Sequence, residues 1–164
     1  MWLAIIFITI GVFSRLFPHL PNFSPLAAVA LFSGVYCAKK HGYLIPLAIF
    51  MLSDLIIGLH NTVLFTWASI VLIYFLGAQL RKQKTISSTL AYTFISSIIF
   101  FLITNFGVWL MGWYPPTFEG LILCFANALP FFRMSLVANM FYVLVFFSLY
   151  EYSLSRNRLS QEIA

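Results

Sequence analysis

The chain has 164 residues, of which 62% are hydrophobic and only 8% are charged, whereas a soluble domain averages roughly 45–50% apolar and about 25% charged residues. This composition excludes a soluble globular domain and predicts an integral membrane protein. Because an α-helical span takes about 20 mostly apolar residues, six spans would use most of the chain and leave a single membrane domain over residues 1–164.

Six apolar segments between polar breaks predict the membrane helices. In chain order they are residues 2–17, 23–38, 43–59, 62–80, 90–112 and 134–152, followed by a short tail at about 154–164. No basic residue precedes the first apolar run and no small-x-small cleavage site follows it before Arg15, so we interpret it as a retained helix and not as a signal peptide. The stretch 121–132 is too short to span a membrane, and we expect it to be re-entrant or to cap the bundle.

The positions of the nine Lys and Arg residues predict the orientation, because short cytoplasmic loops retain positive charge. With the N-terminus inside, seven of the nine are cytoplasmic: Lys39, Lys40, Arg81, Lys82, Lys84, Arg156 and Arg158. Only Arg15 and Arg133 lie outside. This distribution predicts that both termini are cytoplasmic, and it accounts for the net charge of +5 without a nucleic-acid partner.

The polar and aromatic side chains that are candidates for a binding site are expected on the outer half of the bundle. They are Arg15, His19, Asn22, Asp54, His60, Asn105, Trp109, Trp113, Tyr114, Asn127 and Arg133. A channel or a proton pump carries polar residues through the midplane of the membrane, and this chain concentrates them at one side. We therefore predict one outward-facing pocket that binds a small organic ligand.

Asp54 is the most informative single residue, because a carboxylate inside a span is costly unless it is paired or faces water. Arg15 and Arg133 are predicted at a comparable depth, so either can be its partner. The sequence leaves two roles open for Asp54: an ion pair that ties helices together, or direct contact with the ligand.

The stretch "TNFGVWLMGWYPPTFEG", residues 104–120, ends the fifth predicted helix. Trp and Tyr at the end of a span commonly belong to the interfacial aromatic belt. Pro115 and Pro116, however, break the helix and hold the chain in a rigid extended turn, and aromatic residues on such a turn suit a flat organic ligand. Both interpretations of Trp109, Trp113 and Tyr114 stay open.

Metal and catalytic chemistry have weaker signals. Cys37 and Cys124 are predicted on opposite sides of the membrane and therefore do not pair. His19, His60 and Cys124 are minor candidates for a metal or cobalt ligand. The motifs HExxH, GxSxG and GxxxxGK[ST] do not occur in the sequence, so we expect neither an enzyme nor an intrinsic ATPase, and no resident cofactor.

Several motifs carry a resemblance to a known family: "PHLPNFSP", "LAAVALFSG", "AKKHG", "IPLAIFMLSDLIIGLH" and "TNFGVW…YPPTFEGL…CFANALPFF". Over nearly its whole length the chain resembles a bacterial integral membrane family of unknown function. That family is similar in turn to the S components of energy-coupling factor (ECF) vitamin transporters, in helix number, size, topology and the third helix. The resemblance implies an all-α, six-helix S-component-like bundle in the bacterial inner membrane, with a pocket closed by the loops between helices 1–2, 3–4 and 5–6.

The function implied is uptake of a vitamin or related small organic nutrient, powered by an ECF-type transmembrane and ATPase module or by toppling of the solitary protein in the lipid bilayer. S components usually dock that module through an Ala-x-x-x-Ala pattern on the first helix, and here Ala4 is followed by Ile8. Two alternatives remain: a solitary transporter that binds cobalamin or a metal, and a structural or assembly subunit of a membrane complex.

Overall fold

The structure, a computed structural model, describes residues 2–16, 23–37 and 40–163, with side chains as far as residue 156. Over this part of the chain the protein is all-helical. Its elements are α1 (Trp2–Phe13) with a 3-10 turn (Ser14–Leu16), α2 (Leu26–Tyr36), α3 (Leu44–Ile57), α4 (Val63–Leu80) with a 3-10 turn (Arg81–Gln83), α5 (Ile86–Val108) with a π-helical turn (Trp109–Trp113), and α6 (Phe118–Ile163).

Three of these helical segments are long and apolar enough to cross a membrane: Val63–Gln83, Ile86–Trp113 and Phe118–Arg156. The helices α1, α2 and α3 have 12, 11 and 14 residues, which corresponds to about 17–21 Å at 1.5 Å per residue. A hydrocarbon core is about 30 Å thick. The six helices therefore follow the predicted order, and three of them have the length of a span.

Successive helices run in opposite directions. The end of α1, the end of α3 and the start of α4 meet at Arg15, Asp54 and Trp67, and we call this the Asp54 end. At the opposite end, which we call the basic end, Lys84 before α5 and Glu151 on α6 form an ion pair. The up-and-down order expected from the alternation of basic loops is thus present in the bundle.

Helix α6 corrects one prediction. The stretch 121–132 is neither re-entrant nor a separate cap, because it forms one continuous helix of 46 residues with the predicted last span and with the predicted tail. Pro130 lies inside that helix. A proline removes one backbone donor and strains the preceding turn, but Phe125 and Phe132, on either side of it, both pack on the ring of Phe101, with centroids 5.5 and 4.8 Å away. Packing against one partner helix keeps the two halves of α6 aligned.

Two other helices begin at different residues from those predicted. Helix α5 starts at Ile86 and not at residue 90, because Thr85 and Ser88 form a capping box: each side chain accepts a hydrogen bond from the other residue's backbone N–H. Helix α2 starts at Leu26, after Pro25 at its N-cap, and is shorter than its apolar run. A capping box thus sets the start of α5, and a proline that makes no side-chain cap precedes α2.

Helix α2 forms the centre of the bundle, since all nine residues from Ala27 to Val35 are buried. It crosses α4 at a contact between backbones. A Cβ atom added to Gly34 would lie 2.0 Å from the carbonyl oxygen of Tyr74, and one added to Gly77 would lie 2.2 Å from that of Leu31. Small residues permit such a close approach between helices. The close contact of α2 with α4 therefore requires glycine on both helices.

We expect Gly77→Ala to destabilise the protein by about 1–3 kcal/mol, the usual cost of overpacking, because its new methyl group would overlap the backbone of α2. Thermal unfolding in detergent measures the effect. Ser87→Ala, at an exposed position in the first turn of α5, is the control and should unfold as the wild type does. Equal stability of Gly77→Ala and the wild type would contradict the backbone contact.

Candidate functional site

Asp54 lies in a buried ion pair at the Asp54 end. Its carboxylate Oδ1 is 2.8 Å from Nη1 of Arg15, and its side chain is 1% exposed. Trp67 donates its indole N–H to Oδ2 over 2.8 Å, and Ser53 accepts a hydrogen bond from Arg15 over 3.2 Å. The predicted pairing of Asp54 is confirmed with Arg15, and Arg133 is exposed elsewhere on α6.

This group joins three helices, since Arg15 follows α1, Asp54 belongs to α3 and Trp67 belongs to α4. The guanidinium of Arg15 also lies 5.9 Å from the ring centroid of Phe50, a distance typical of a cation–π contact. Oδ2 accepts the hydrogen bond of Trp67, whereas Oδ1 lies beside the charge of Arg15 and accepts no hydrogen bond from the described residues. Asp54 thus ties helices together in this structure, the first of the two roles left open by the sequence, and its contact with a ligand stays a prediction.

The aromatic residues at the end of α5 form a second group. Gly112 has φ of +82°, a left-handed conformation that glycine adopts without strain, and the chain then extends through Tyr114. Trp109 donates its indole N–H to the carbonyl of Pro115 over 3.0 Å and so closes the turn. The turn borders a cleft of about 390 Å³ lined by Trp109, Leu110, Gly112, Trp113, Tyr114, Pro115 and Pro116; we call it the aromatic cleft.

The indoles of the aromatic cleft are in different environments. Trp109 is half-buried, whereas Trp113 is 69% exposed. Asn127, on the first third of α6, donates a long hydrogen bond of 3.4 Å to the hydroxyl of Tyr114. The cleft thus has one half-buried ring held by a hydrogen bond, one exposed outer ring and a polar edge.

A third group lies between α5 and α6, toward the middle of both helices. Its cavity of about 180 Å³, which we call the amide cleft, is lined by Ser97, Phe100, Phe101, Thr104, Asn105, Ala128, Phe131, Phe132, Ser135 and Asn139. Asn139 donates to the hydroxyl of Ser97 and accepts from the backbone N–H of Ala28, both over 3.2 Å. The side chain of Asn105 donates to the backbone carbonyl of Phe101 over 2.8 Å, and the backbone carbonyl of Asn105 accepts from the thiol of Cys124 over 3.4 Å.

The structure therefore distributes the predicted site residues over several places. Arg15 and Asp54 form the ion pair; Trp109, Trp113, Tyr114 and Asn127 surround the aromatic cleft; and Asn105 lines the amide cleft one helical turn away. His60 is exposed, with Nδ1 3.0 Å from the hydroxyl of Thr62, and Arg133 is exposed on α6. His19 and Asn22 lie outside the described residues, as does the loop that joins α1 to α2.

The sequence analysis did not assign Trp67, Ser97 or Asn139 to a site. Asn139 carries the clearest signal, because an amide in the middle of an apolar segment is costly unless it is hydrogen-bonded. The partners of Asn139 on α2 and α5 are 111 and 42 residues away in the chain, and a single sequence does not indicate such distant pairs.

The described residues contain no group of three or more His, Cys, Asp or Glu side chains that could hold a metal ion. Cys37 and Cys124 are both buried thiols. Among the minor metal candidates, Cys124 is therefore turned into the α5–α6 contact and His60 faces solvent.

A family of unknown function (DUF6580) matches residues 1–161, so the chain belongs to that family. No curated protein matches the chain, and no solved structure matches it either. The expected membership in a family of unknown function is confirmed, and these comparisons do not link the family to S components of ECF transporters.

We expect Asp54→Ala to lower the free energy of unfolding by about 3–5 kcal/mol, the usual cost of removing one partner of a buried pair, because Arg15 would remain as an unpaired charge. Asp54→Asn should cost less, since its amide oxygen can still accept from Trp67. Arg133→Gln is the control and should stay within about 0.5 kcal/mol of the wild type, as exposed substitutions usually do. If Asp54→Ala unfolds in detergent at the same temperature as Arg133→Gln, the buried ion pair is contradicted.

Proposed function

We propose that this member of the DUF6580 family is a membrane-embedded binding protein for the uptake of a small organic nutrient, such as a vitamin or a cofactor precursor, and that it works in the manner of an S component. The observation that carries the proposal is the pair of neighbouring clefts on the α5–α6 hairpin. Asn105 of α5 lines one, and Trp109, four residues later in the turn that continues α5, lines the other, so the two side chains lie on the same helical face.

The amide cleft supplies polar recognition between aromatic walls. Both ends of the Asn139 amide are already hydrogen-bonded within the protein. The side chain of Asn105 makes one such bond through its nitrogen, which leaves one N–H donor and the carbonyl oxygen for a ligand. At about 180 Å³ the cavity is smaller than the 300–1,000 Å³ of sites for drug-sized molecules, which favours a small ligand.

The aromatic cleft supplies stacking surface nearer to the end of the hairpin. Aromatic pairs contribute about 0.5–1.5 kcal/mol beyond the burial of their area, and the indole of Trp109 is held in place by its bond to Pro115. A flat ring stacked there can extend a polar substituent toward Asn105. Apolar walls with a few placed polar groups are typical of small-molecule sites.

A binding protein of this kind needs a separate source of energy for transport. We propose either an ECF-type transmembrane and ATPase partner or toppling of the solitary protein in the bacterial inner membrane. Ala4 and Ile8, at the positions where S components carry their docking alanines, are fully buried in the bundle. A partner would therefore dock on another face than this side of α1.

The alternatives make different demands on the same residues. Cobalt coordination by Cys124 would require its thiol to leave the buried contact with the backbone carbonyl of Asn105, which disfavours Cys124 as the ligand of a cobalamin and leaves His19 as the other candidate. An assembly subunit would use the exposed ring of Trp113 and its neighbours as a protein interface, and would then retain a protein and not a small molecule on purification.

Native mass spectrometry of the protein purified in mild detergent should detect one bound small molecule. We expect Trp109→Leu combined with Trp113→Leu to weaken its binding at least tenfold, which corresponds to 1.4 kcal/mol, because the stacking surface is lost. Asn105→Ala should weaken it through loss of the polar contact. Trp2→Leu removes a ring that is 77% exposed on α1 and serves as the matched control, with unchanged binding.

The ligand proposal fails if the double variant binds the small molecule as tightly as the Trp2→Leu control. Recovery of a stoichiometric protein partner without any small molecule would support the assembly subunit instead.

We also propose that all six helices insert with both termini cytoplasmic, on the basis of the distribution of Lys and Arg. Single cysteines introduced at Lys40 or Lys82, in a variant that lacks Cys37 and Cys124, should resist a membrane-impermeant maleimide in intact cells. A cysteine at Asn61, which is exposed between α3 and α4, should react. Labelling at Lys82 in intact cells would overturn this orientation.

A further inference from the structure

A large cleft lies at the basic end, between the start of α5 and the last part of the packed region of α6. It has a volume of about 370 Å³ and is lined by Lys84, Thr85, Ile86, Thr89, Val143, Leu144, Phe147, Ser148 and Glu151. It does not share a residue with the amide cleft or the aromatic cleft. The nutrient proposal therefore leaves this cleft without a role.

The cleft is apolar along its walls and opens to the side of the bundle. Ile86 is 78% exposed and Leu144 is 48% exposed, while Phe147 closes the inner wall. Such a cleft on the outside of a membrane bundle faces hydrocarbon, so the group that fills it in a bilayer is an acyl chain. The walls have the right chemistry for one chain but do not select among lipids.

The mouth of the cleft supplies the selection. Lys84 pairs with Glu151 and donates to the hydroxyl of Tyr36 over 3.1 Å, and Tyr36 in turn donates to Glu151. An ammonium group has three donors, so Lys84 keeps one for a further acceptor, and its side chain is 31% exposed. The hydroxyls of Thr85 and Ser148 lie at the same cleft.

Further basic residues lie close in the chain to Lys84 and Glu151. Arg81 and Lys82 precede Lys84 in the same turn, and Arg156 lies one turn of α6 beyond Glu151, with its guanidinium 6.0 Å from the ring centroid of Tyr152. Among the residues whose side chains the structure describes, three further basic residues thus lie close in the chain to one member of the Lys84–Glu151 pair. Basic pockets between helices on the cytoplasmic side commonly bind the phosphate of anionic lipids.

A second groove on the bundle, with no charged residue among its described lining residues, can be compared with the basic-end cleft. It has a volume of about 400 Å³ and is lined by Leu72, Phe75, Leu76, Gln79, Ile99, Leu102 and Ile103. It matches the basic-end cleft in size and in apolar walls, yet no charged side chain lines it in the described part of the chain. Lipid chains can lie there without preference for a headgroup.

We infer that the basic-end cleft is a binding site for one anionic phospholipid, with an acyl chain along Ile86, Leu144 and Phe147 and the headgroup phosphate on the free donor of Lys84. The site requires that the bundle be embedded in a membrane, but it is independent of the nutrient. Glu151 lowers the affinity for the phosphate while it orients Lys84. Glu151 and the phosphate therefore compete for the ammonium group of Lys84.

The test uses full-length protein delipidated in detergent and titrated with phosphatidylglycerol or with phosphatidylcholine, with bound lipid counted by native mass spectrometry. The wild type should bind one phosphatidylglycerol in preference to phosphatidylcholine. Lys84→Gln should reduce that preference about fivefold, which corresponds to roughly 1 kcal/mol for one basic residue at the membrane surface, and Lys84→Arg should retain it. Glu151→Gln should increase it.

Leu144→Trp fills the cleft without changing its charge and should abolish the stoichiometric lipid, whereas Leu72→Trp in the uncharged groove is the matched control and should leave it bound. A merely structural ion pair predicts that Lys84→Gln and Glu151→Gln change lipid binding in the same direction, and that result would overturn the inference. Equal binding of the two lipids by the wild type would also overturn the inference. A dimer that only Leu144→Trp disrupts would overturn it as well, because the cleft would then belong to the contact with a second copy of the chain. If the purified protein binds the anionic lipid but no small organic molecule, only the function proposed above is rejected.

Discussion

The start of a helix inside an apolar bundle leaves backbone N–H groups that no water can satisfy, and α2 presents this problem most directly. Its N-cap, Pro25, provides no side-chain hydrogen bond. Asn139 of α6 supplies the missing acceptor to Ala28 and donates at the same time to Ser97 of α5. One amide therefore joins the central helix to both arms of the hairpin, and the positions of the amide cleft and of the long α6 depend on this junction.

The ion pair at the Asp54 end performs a corresponding task for the other helices. The helices α1 and α3 are short, and Arg15 and Asp54 lie close to where they end. A buried pair of this kind stabilises little in total, since desolvation offsets most of the attraction, but breaking it is costly. Its main physical effect is to allow only those arrangements of α1, α3 and α4 in which the two charges meet.

Much of the fold could be predicted from local signals in the sequence. Apolar runs located α1, α3 and α4 to within a few residues, and the cost of a lone buried carboxylate predicted the pairing of Asp54. The continuity of α6 could not be predicted, because it depends on Phe125 and Phe132 finding the same ring of Phe101 across the hairpin. The separation of the site residues into several groups escaped prediction for a similar reason: residues at one end of a bundle can face different neighbours, and lateral packing is not visible in one sequence.

The closely packed contact of α2 with α4 and the clefts lie in different parts of the bundle. The helices α2 and α4 touch through backbone at Gly34 and Gly77, and a contact without side chains cannot adjust by changing rotamers. Three of the four clefts described above are lined in part by α5 and the fourth by the turn that follows it, and α2 lines none of them. A molecule that enters any of these clefts therefore contacts α5 or the turn after it, and does not contact the described residues of α2. The clefts and the α2–α4 contact consequently involve largely different residues, while Asn139 and its partner Ser97 both line the amide cleft and belong to the junction with α2.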